Sequence, residues 1–407
     1  MNISRIRAQN FKSFDTVDVE LGDFNVLIGA NASGKSNFLS LLTFLRDIAR
    51  EGVEDAVSMQ SGEIDLLRNV QIGSAQPTKI CFESGYGLDD PGAPPGLGWG
   101  GPWALELGAE RITTSGFRYR VGLQHRESDF QISEEEISWG YFERKEGFDE
   151  STFQVEVNDR KLLSQQNERS SANGVPSGFP EKEKMSLLRL EEKPWLIFTR
   201  QQLLGWQVYN FDFHRSGSVS SSQKGKTQLE ESGSNVALVL RHLLKDEEKR
   251  RKFLNLAATL LPFVEDLDVE RLGGQSLLMT LQESHAEGQY LPSSLLSEGT
   301  IRVVALLIAL YFENKWVMAF EEPTTSLHPK LISRLVQMMK EVSEDKQIFM
   351  TTHNPEVIKH VDLDDVYLVS RDEEGFSQIT KPVDKKEVRV FLENDLGIDD
   401  LFVQNLL

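Results

Sequence analysis

Cysteine is almost missing from this chain: there is one, Cys81, so no disulfide can form within it. A fold that uses no disulfide fits a reducing compartment. Long apolar runs are missing too. The most apolar stretch, Val303 to Phe312, has ten residues, too few to cross a bilayer and enough for a buried helix. The opening Met1-Asn2-Ile3-Ser4-Arg5-Ile6-Arg7 interleaves charged and apolar residues and builds no hydrophobic leader. These absences predict a soluble cytoplasmic protein with no membrane partner. Positive charge is in deficit, with 44 Lys and Arg against 63 Asp and Glu and a net charge of −19. A sequence-independent nucleic-acid clamp needs basic surface to displace phosphate counterions. DNA, as a candidate ligand, would therefore have to meet a local patch. Lys245 to Lys252 and the Lys224/Lys226 loop are the two candidates, and each also reads as an ordinary solvated segment.

What is present is a glycine-bounded motif. Residues 29–36 read Gly-Ala-Asn-Ala-Ser-Gly-Lys-Ser and match G-x-x-x-x-G-K-[ST]. The apolar run Phe24 to Ile28 precedes it as a strand, and a helical pattern follows to about Arg50. Strand, glycine loop and helix together aim backbone N–H groups and a helix N-terminus at a phosphate. Gly29 and Gly34 permit close approach, Lys35 supplies a point charge for the β/γ-phosphates, and the Ser36 hydroxyl is placed for Mg²⁺.

Three further stretches carry chemistry. Lys315 to Pro323 holds an apolar strand, Trp316 to Phe320, that ends in two carboxylates. Ligands of open α/β sheets bind at that edge. Glu321 there is a candidate to hold Mg²⁺ through water, and Glu322 to orient or deprotonate an attacking water. Gln347 to His353 is a second apolar strand, ending in a histidine placed to hydrogen-bond a γ-phosphate and report its loss. Leu295-Leu296-Ser297-Glu298-Gly299-Thr300 precedes the apolar helix, with Ser297 as its N-cap and as an anion site for a partner subunit's nucleotide.

Other elements read more locally. Ile3 to Phe11 and Thr16 to Leu21 form two strands around a Lys12–Asp15 turn. Strand-like pieces recur at Lys79–Glu83, Trp103–Leu107, Arg118–Leu123, Asp129–Ile132 and Glu136–Trp139, interrupted by the loop Pro91 to Gly101. Residues 164–186 and 215–234 read as mobile polar surface segments. Asn235–Leu244 and Glu248–Leu261 read as helices, and Asp362, Asp364 and Asp365 as a turn before the strand Val366–Val369. The prediction is an α/β chain in which segments 1–80 and 205–407 build one nucleotide-binding domain around an insertion at 81–204.

Taken together, the motifs resemble the ABC-type ATPase heads of the SMC/RecF class, P-loop NTPases, and more narrowly the bacterial ATPases related to RecF and to the overcoming-lysogenization-defect ATPases. The resemblance rests on Asn10-Phe11-Lys12-Ser13-Phe14, the loop Gly29–Ser36, Leu296 to Thr300, Glu321-Glu322-Pro323, Ser326-Leu327-His328-Pro329 and Thr351-Thr352-His353-Asn354-Pro355, all in the family's order. It implies a mixed sheet with N-terminal antiparallel strands and an inserted strand and helix region. It implies ATP and Mg²⁺ as cofactors, with Lys12, Gly29, Asn31, Ser33, Gly34, Lys35, Ser36 and Asn37 at the nucleotide and Ser36 and Glu321 at the metal. It implies Glu322 as base, His353 as switch, and a head-to-head homodimer in which Ser297 and Gly299 face the other subunit's ATP and Ser326 to His328 cross the interface. A separately encoded nuclease or toxin-like effector, in anti-phage defence or DNA maintenance, is the implied partner. Glu321 stands where the family usually has Asp, and Thr324-Thr325 follows Pro323 where Glu-Asn is common. Gln60 and Gln71 are the candidates for the glutamine loop. Three readings compete: a low-turnover ATP-gated scaffold, a transporter-type ATPase subunit, and an intrinsic metal-dependent nuclease, whose candidate cluster Asp362, Asp364 and Asp365 reads instead as the turn before a strand. The resemblance disfavours the second, because Lys35 and Ser297 stand 262 positions apart.

Overall fold

The computed structural model describes residues 2–61, 64–87, 114–126, 129–143, 147–158, 161–165, 186, 188, 194–213, 219–221, 227–271, 276–286 and 288–382. The chain divides into two compact units: Met1–Asn25, Gly29–Trp206 and Tyr367–Thr380 in one, Val26–Ile28, Gln207–Val366 and Lys381–Leu407 in the other.

In the first unit the apolar alternation of the N-terminus becomes β1 (Asn2–Phe11) and β2 (Phe14–Glu20), paired antiparallel with Phe11 opposite Phe14. The turn between them is thus Lys12-Ser13, two residues shorter than the sequence suggests, because Phe14 is buried against the core and extends the strand. β3 (Phe24–Ile28), buried throughout, opens in this unit and ends in the other. It is followed by α1 (Lys35–Glu51) and α2 (Val53–Ser61). Phe38, Leu41, Leu42, Leu45 and Ile48 recur at helical spacing and turn one face of α1 inward. β4 (Thr78–Gly87), β5 (Thr114–Arg126), β6 (Asp129–Glu143), β7 (Gly147–Asn158) and β8 (Lys161–Gln165) complete a seven-stranded sheet in the order β2-β1-β4-β5-β6-β7-β8, and α3 (Pro194–Leu204) follows in the same unit. The pieces 129–132 and 136–139 are one strand, β6. Trp103–Leu107 and Pro91–Gly101 lie outside the described residues.

The second unit holds β9 (Trp206–Tyr209, from Gln207 on), β10 (Val219–Ser221), α4 (Val236–Leu243), α5 (Glu247–Leu260), β11 (Val264–Arg271), β12 (Ser276–Glu283) and β13 (Tyr290–Pro292). After them come α6 (Glu298–Phe312), β14 (Val317–Glu321), α7 (Pro329–Val342), β15 (Gln347–Thr352) and α8 (Pro355–Ile358). Strands β10, β12 and β11 form a small antiparallel sheet with β13 beside β12, while the parallel pair β14–β15 lies between β3 and β9. The apolar stretch forms the body of α6, which is buried without a break from Gly299 to Leu310 and half-buried at Tyr311 and Phe312. Among the described residues no helix is long and apolar enough to cross a membrane. Residues 227–234 are a packed corner rather than a mobile segment. Leu229 is buried and its N–H donates to the Glu313 carboxylate at 2.7 Å, which burial pushes above the usual carboxylate range. Asp362–Asp365 is the expected turn, with Lys340 bound to both Asp362 and Asp365.

The chain then returns to the first unit in an antiparallel hairpin, β16 (Val366–Arg371) and β17 (Ser377–Thr380), with Arg371 opposite Ser377.

Candidate functional site

The candidate residues fall into two groups, one in each unit. In the first unit, Gly34 is the N-cap of α1 at φ 118° and no side chain caps the helix. The first-turn N–H groups are therefore presented as an anion cradle. Ala32 is left-handed at φ 62°, a conformation that costs a residue with a Cβ about 1–2 kcal/mol. Both motif glycines are required by crowding. A Cβ on Gly29 would lie 2.1 Å from the Val369 carbonyl oxygen, and one on Gly34 2.2 Å from Ser377 Oγ. Lys35 is buried, and its ammonium donates to the Gly29 and Ala30 carbonyls at 2.8 and 3.0 Å. The Ser33 hydroxyl is buried without a hydrogen-bond partner. Asn31 and Ser36 are exposed. Asn37 donates to Ser13 Oγ at 2.8 Å. Lys12 sits left-handed in the β1–β2 turn, with its ammonium on Gln60 at 3.1 Å. Gln71 donates to the Glu374 carbonyl.

This half fits a polyphosphate: a backbone cradle that tolerates no Cβ, a buried cation and an orphaned hydroxyl. The oxygen donors named for the metal, the Ser36 hydroxyl and the Glu321 carboxylate, are of the hard type that Mg²⁺ takes.

In the second unit the parallel register of β14 and β15 sets Glu321 opposite Thr351. The residues that follow each strand therefore emerge at the same sheet edge, and this brings Glu322 and His353 together. Glu322 is left-handed at φ 45°, and its N–H donates to Thr351 Oγ1 at 3.2 Å. Its carboxylate lies 2.9 Å from His353 Nδ1 and accepts the His353 N–H at 3.3 Å. A strained backbone anchored to Thr351, the His353 N–H and the His353 ring thus fix one carboxylate in place. Glu321 accepts from Asn210 Nδ2 at 2.8 Å. Asn210 immediately follows β9, the neighbour of β14; the short alternating run Trp206-Gln207-Val208-Tyr209 is the sequence signal for that strand.

Ser297 caps α6 as expected, its hydroxyl accepting from Thr300 N at 3.1 Å. Gly299 is demanded by packing, since a Cβ there would lie 2.4 Å from the Ser326 carbonyl oxygen. Glu298 bridges the same elements, accepting from Arg302 Nη2 at 2.9 Å and from Ser326 Oγ at 3.3 Å. The start of α6 is thereby tied to the loop that carries Glu322. His328, at the end of that loop, caps α7 ahead of Pro329.

The basic run at 245–252 is largely engaged within the chain. Lys249 lies 3.9 Å from Asp246, Arg250 pairs with Asp266 at 2.8 Å, and Lys252 rests over Phe312 at 5.7 Å. Lys224 and Lys226 lie outside the described residues.

A glycine loop capping a helix and a parallel strand pair ending in carboxylates and a histidine define a P-loop NTPase of the ABC type, with the SMC/RecF-like head build. Residues 24–359 match the family described as AAA domain, putative AbiEii toxin, Type IV TA system, and the chain belongs to that family. An uncharacterised protein of Methanocaldococcus jannaschii is 30% identical over 96 residues, a stretch that is 23% of this chain and 25% of that protein. The chain thus spans a quarter of the length of this relative. An SMC head bound to the C-terminal winged-helix domain of ScpA is similar with a TM-score of 0.51 at 14% identity, covering 93% of this chain and 98% of that one. An SMC head with an extended coiled coil, bound to the C-terminal domain of ScpA derived from Pyrococcus furiosus, has a TM-score of 0.49 at 15% identity, over 97% and 99% of the two chains. The first likeness shows the shared fold.

Proposed function

We propose that this chain is an ATP hydrolase that binds Mg-ATP through Gly29–Asn37, closes into a head-to-head homodimer, and controls a separately encoded nuclease or toxin-like effector in anti-phage defence or DNA maintenance. The observation that carries the reading is the Glu322–His353 pair at 2.9 Å, at the end of two parallel strands. When bound, Mg-ATP supplies an electrophilic γ-phosphorus and a metal charge. Lys35 and the N-terminus of α1 hold the phosphates. Glu322 takes the proton of the attacking water, and His353 orients that carboxylate through its ring and its backbone N–H. Ser36 of the first unit and Glu321 of the second are the residues that would each offer the metal an oxygen, and the Asn210 amide, 2.8 Å from Glu321, would hold that carboxylate's rotamer. The family description names a toxin of a type IV toxin–antitoxin system, which supports a toxin-linked setting for the effector.

Assembly gives the test. Ser297 is exposed at the start of α6 and is its N-cap, so Ser297→Arg is expected to cost about 0.5–2 kcal/mol of stability, as for loss of a cap, while the chain still folds and its ATP affinity stays within about 2–3-fold of wild type. The wild-type chain should sediment as a dimer with ATP and as a monomer without it, and Ser297→Arg as a monomer in both. A wild type that ignores ATP in sedimentation refutes the sandwich. Asn210→Ala is expected to raise the Mg²⁺ concentration for half-maximal turnover about 10-fold, the usual effect of losing an outer-shell partner. Metal-free ATP binding should stay unchanged, as read by titration with and without Mg²⁺.

A further inference from the structure

The hairpin β16–β17, which lies past the residues that match the family, meets the phosphate loop through Arg371 and Ser377. Arg371, the last residue of β16, donates from Nε and Nη2 to the Ala32 carbonyl, both at 3.0 Å. Its Nη1 donates to the Gly375 carbonyl at 2.7 Å, in the hairpin's own turn. Ala32 is the loop residue held left-handed, and Gly375 is left-handed too, at φ 89°. One rigid guanidinium thus staples the strained loop residue Ala32 to the glycine turn of the hairpin, a task that its planar fork of donors suits. Ser377, the first residue of β17 and fully buried, donates to the Ser33 carbonyl at 2.6 Å. It also reaches Ser13 Oγ at 2.8 Å, which in turn accepts from Asn37 of α1. Val369 of β16 supplies the carbonyl that forbids a Cβ on Gly29, and Ser377 forbids one on Gly34.

These contacts have a geometric consequence. In a trans peptide the C=O and the next N–H point in opposite directions. No peptide among the described residues is cis. Drawing the Ala32 and Ser33 carbonyls toward the hairpin therefore turns the Ser33 and Gly34 N–H groups away from it. Ser33 N–H closes the loop onto the Ala30 carbonyl at 3.2 Å, and Gly34 N–H is turned away from the hairpin.

We propose that the β16–β17 hairpin is a brace that sets the phosphate loop in its anion-accepting shape before nucleotide arrives, with Arg371 and Ser377 as its positioning residues. The proposal rests on reading 29–36 as a nucleotide loop, and it makes its own demand on the protein without nucleotide. By linkage, ATP bound to the braced loop stabilises the hairpin in return.

The experiment compares wild type with Arg371→Ala and Ser377→Ala by amide hydrogen exchange, ATP binding with Mg²⁺, steady-state turnover and thermal melting. Arg371→Ala is expected to speed exchange of peptides spanning 29–37 about 10-fold without nucleotide. It should raise Kd and KM for ATP about 5–10-fold and leave kcat within about 2-fold, because the chemical groups are untouched. Arg371→Lys, with donors but no fork, should fall between wild type and Arg371→Ala. In wild type, ATP should slow exchange across 371–377. A wild type that binds no ATP refutes the nucleotide reading, while exchange of the free loop still decides the brace. Loop exchange equal to wild type in both alanine variants overturns the brace. A lowered melting temperature with unchanged loop exchange also overturns it, since Arg371 would then be a general stabiliser.

Discussion

Glu322→Gln is expected to bind ATP as well as wild type and to hydrolyse it about 10²–10⁴-fold more slowly, the range for losing a positioned general base. The amide keeps the size of the carboxylate and can still accept the His353 N–H bond seen at 3.3 Å. It cannot take a proton from water. The strained backbone at Glu322, φ 45°, is set by the peptide and by the Thr351 hydroxyl rather than by the side-chain charge, so the fold should not change. His353→Ala should lose less, because it removes an orienting partner and leaves the base. Single-turnover measurement at saturating ATP separates the two: Glu322→Gln slows the chemical step itself. Normal turnover in Glu322→Gln, with loss in Glu321→Gln instead, would exchange the roles of the two carboxylates.

The parts of the site that were legible in the sequence are those whose geometry is local. The phosphate loop is written in eight consecutive residues, and a strand before it and a helix after it need only apolar periodicity to be read. Glu322 and His353 were each legible as the polar end of an apolar strand. Their meeting depended on the register of β14 against β15, which no single segment encodes. Asn210 and Arg371 were missed for the same reason. Asn210 meets a carboxylate 111 residues further along the chain, and Arg371 a carbonyl 339 residues before it. The sequence pattern divides β6 in two because Ser133-Glu134-Glu135 looks like a polar turn. Glu135 is in fact buried, accepting from Tyr119 at 2.7 Å and from Ser186 at 2.5 Å. A satisfied buried carboxylate breaks the alternation on which strand reading relies. Residues 227–234 misled in the opposite direction. Their polar composition hid one buried leucine and its anchoring glutamate.

Lys35→Ala is expected to weaken ATP binding by about 2–5 kcal/mol, or roughly 30- to 5,000-fold in Kd, the cost of removing one partner from a desolvated charge pair. Burial of Lys35 is what makes the effect large, since an exposed lysine would be screened by water and salt. Its ammonium lies on the Gly29 and Ala30 carbonyls, so the free protein already holds the charge inside the loop that is to receive the phosphates. Alanine removes that charge and also leaves two loop carbonyls without this donor, so a second variant is needed. Lys35→Gln keeps a donor on a shorter stem and drops the charge. If charge is the dominant contribution, Lys35→Gln should bind ATP nearly as weakly as Lys35→Ala, while its loop exchanges hydrogen more nearly like wild type. Isothermal titration with ATP and Mg²⁺ reads the affinity, and thermal melting confirms that both variants fold. ATP binding at wild-type strength in Lys35→Ala would show that residues 29–36 are not the phosphate site.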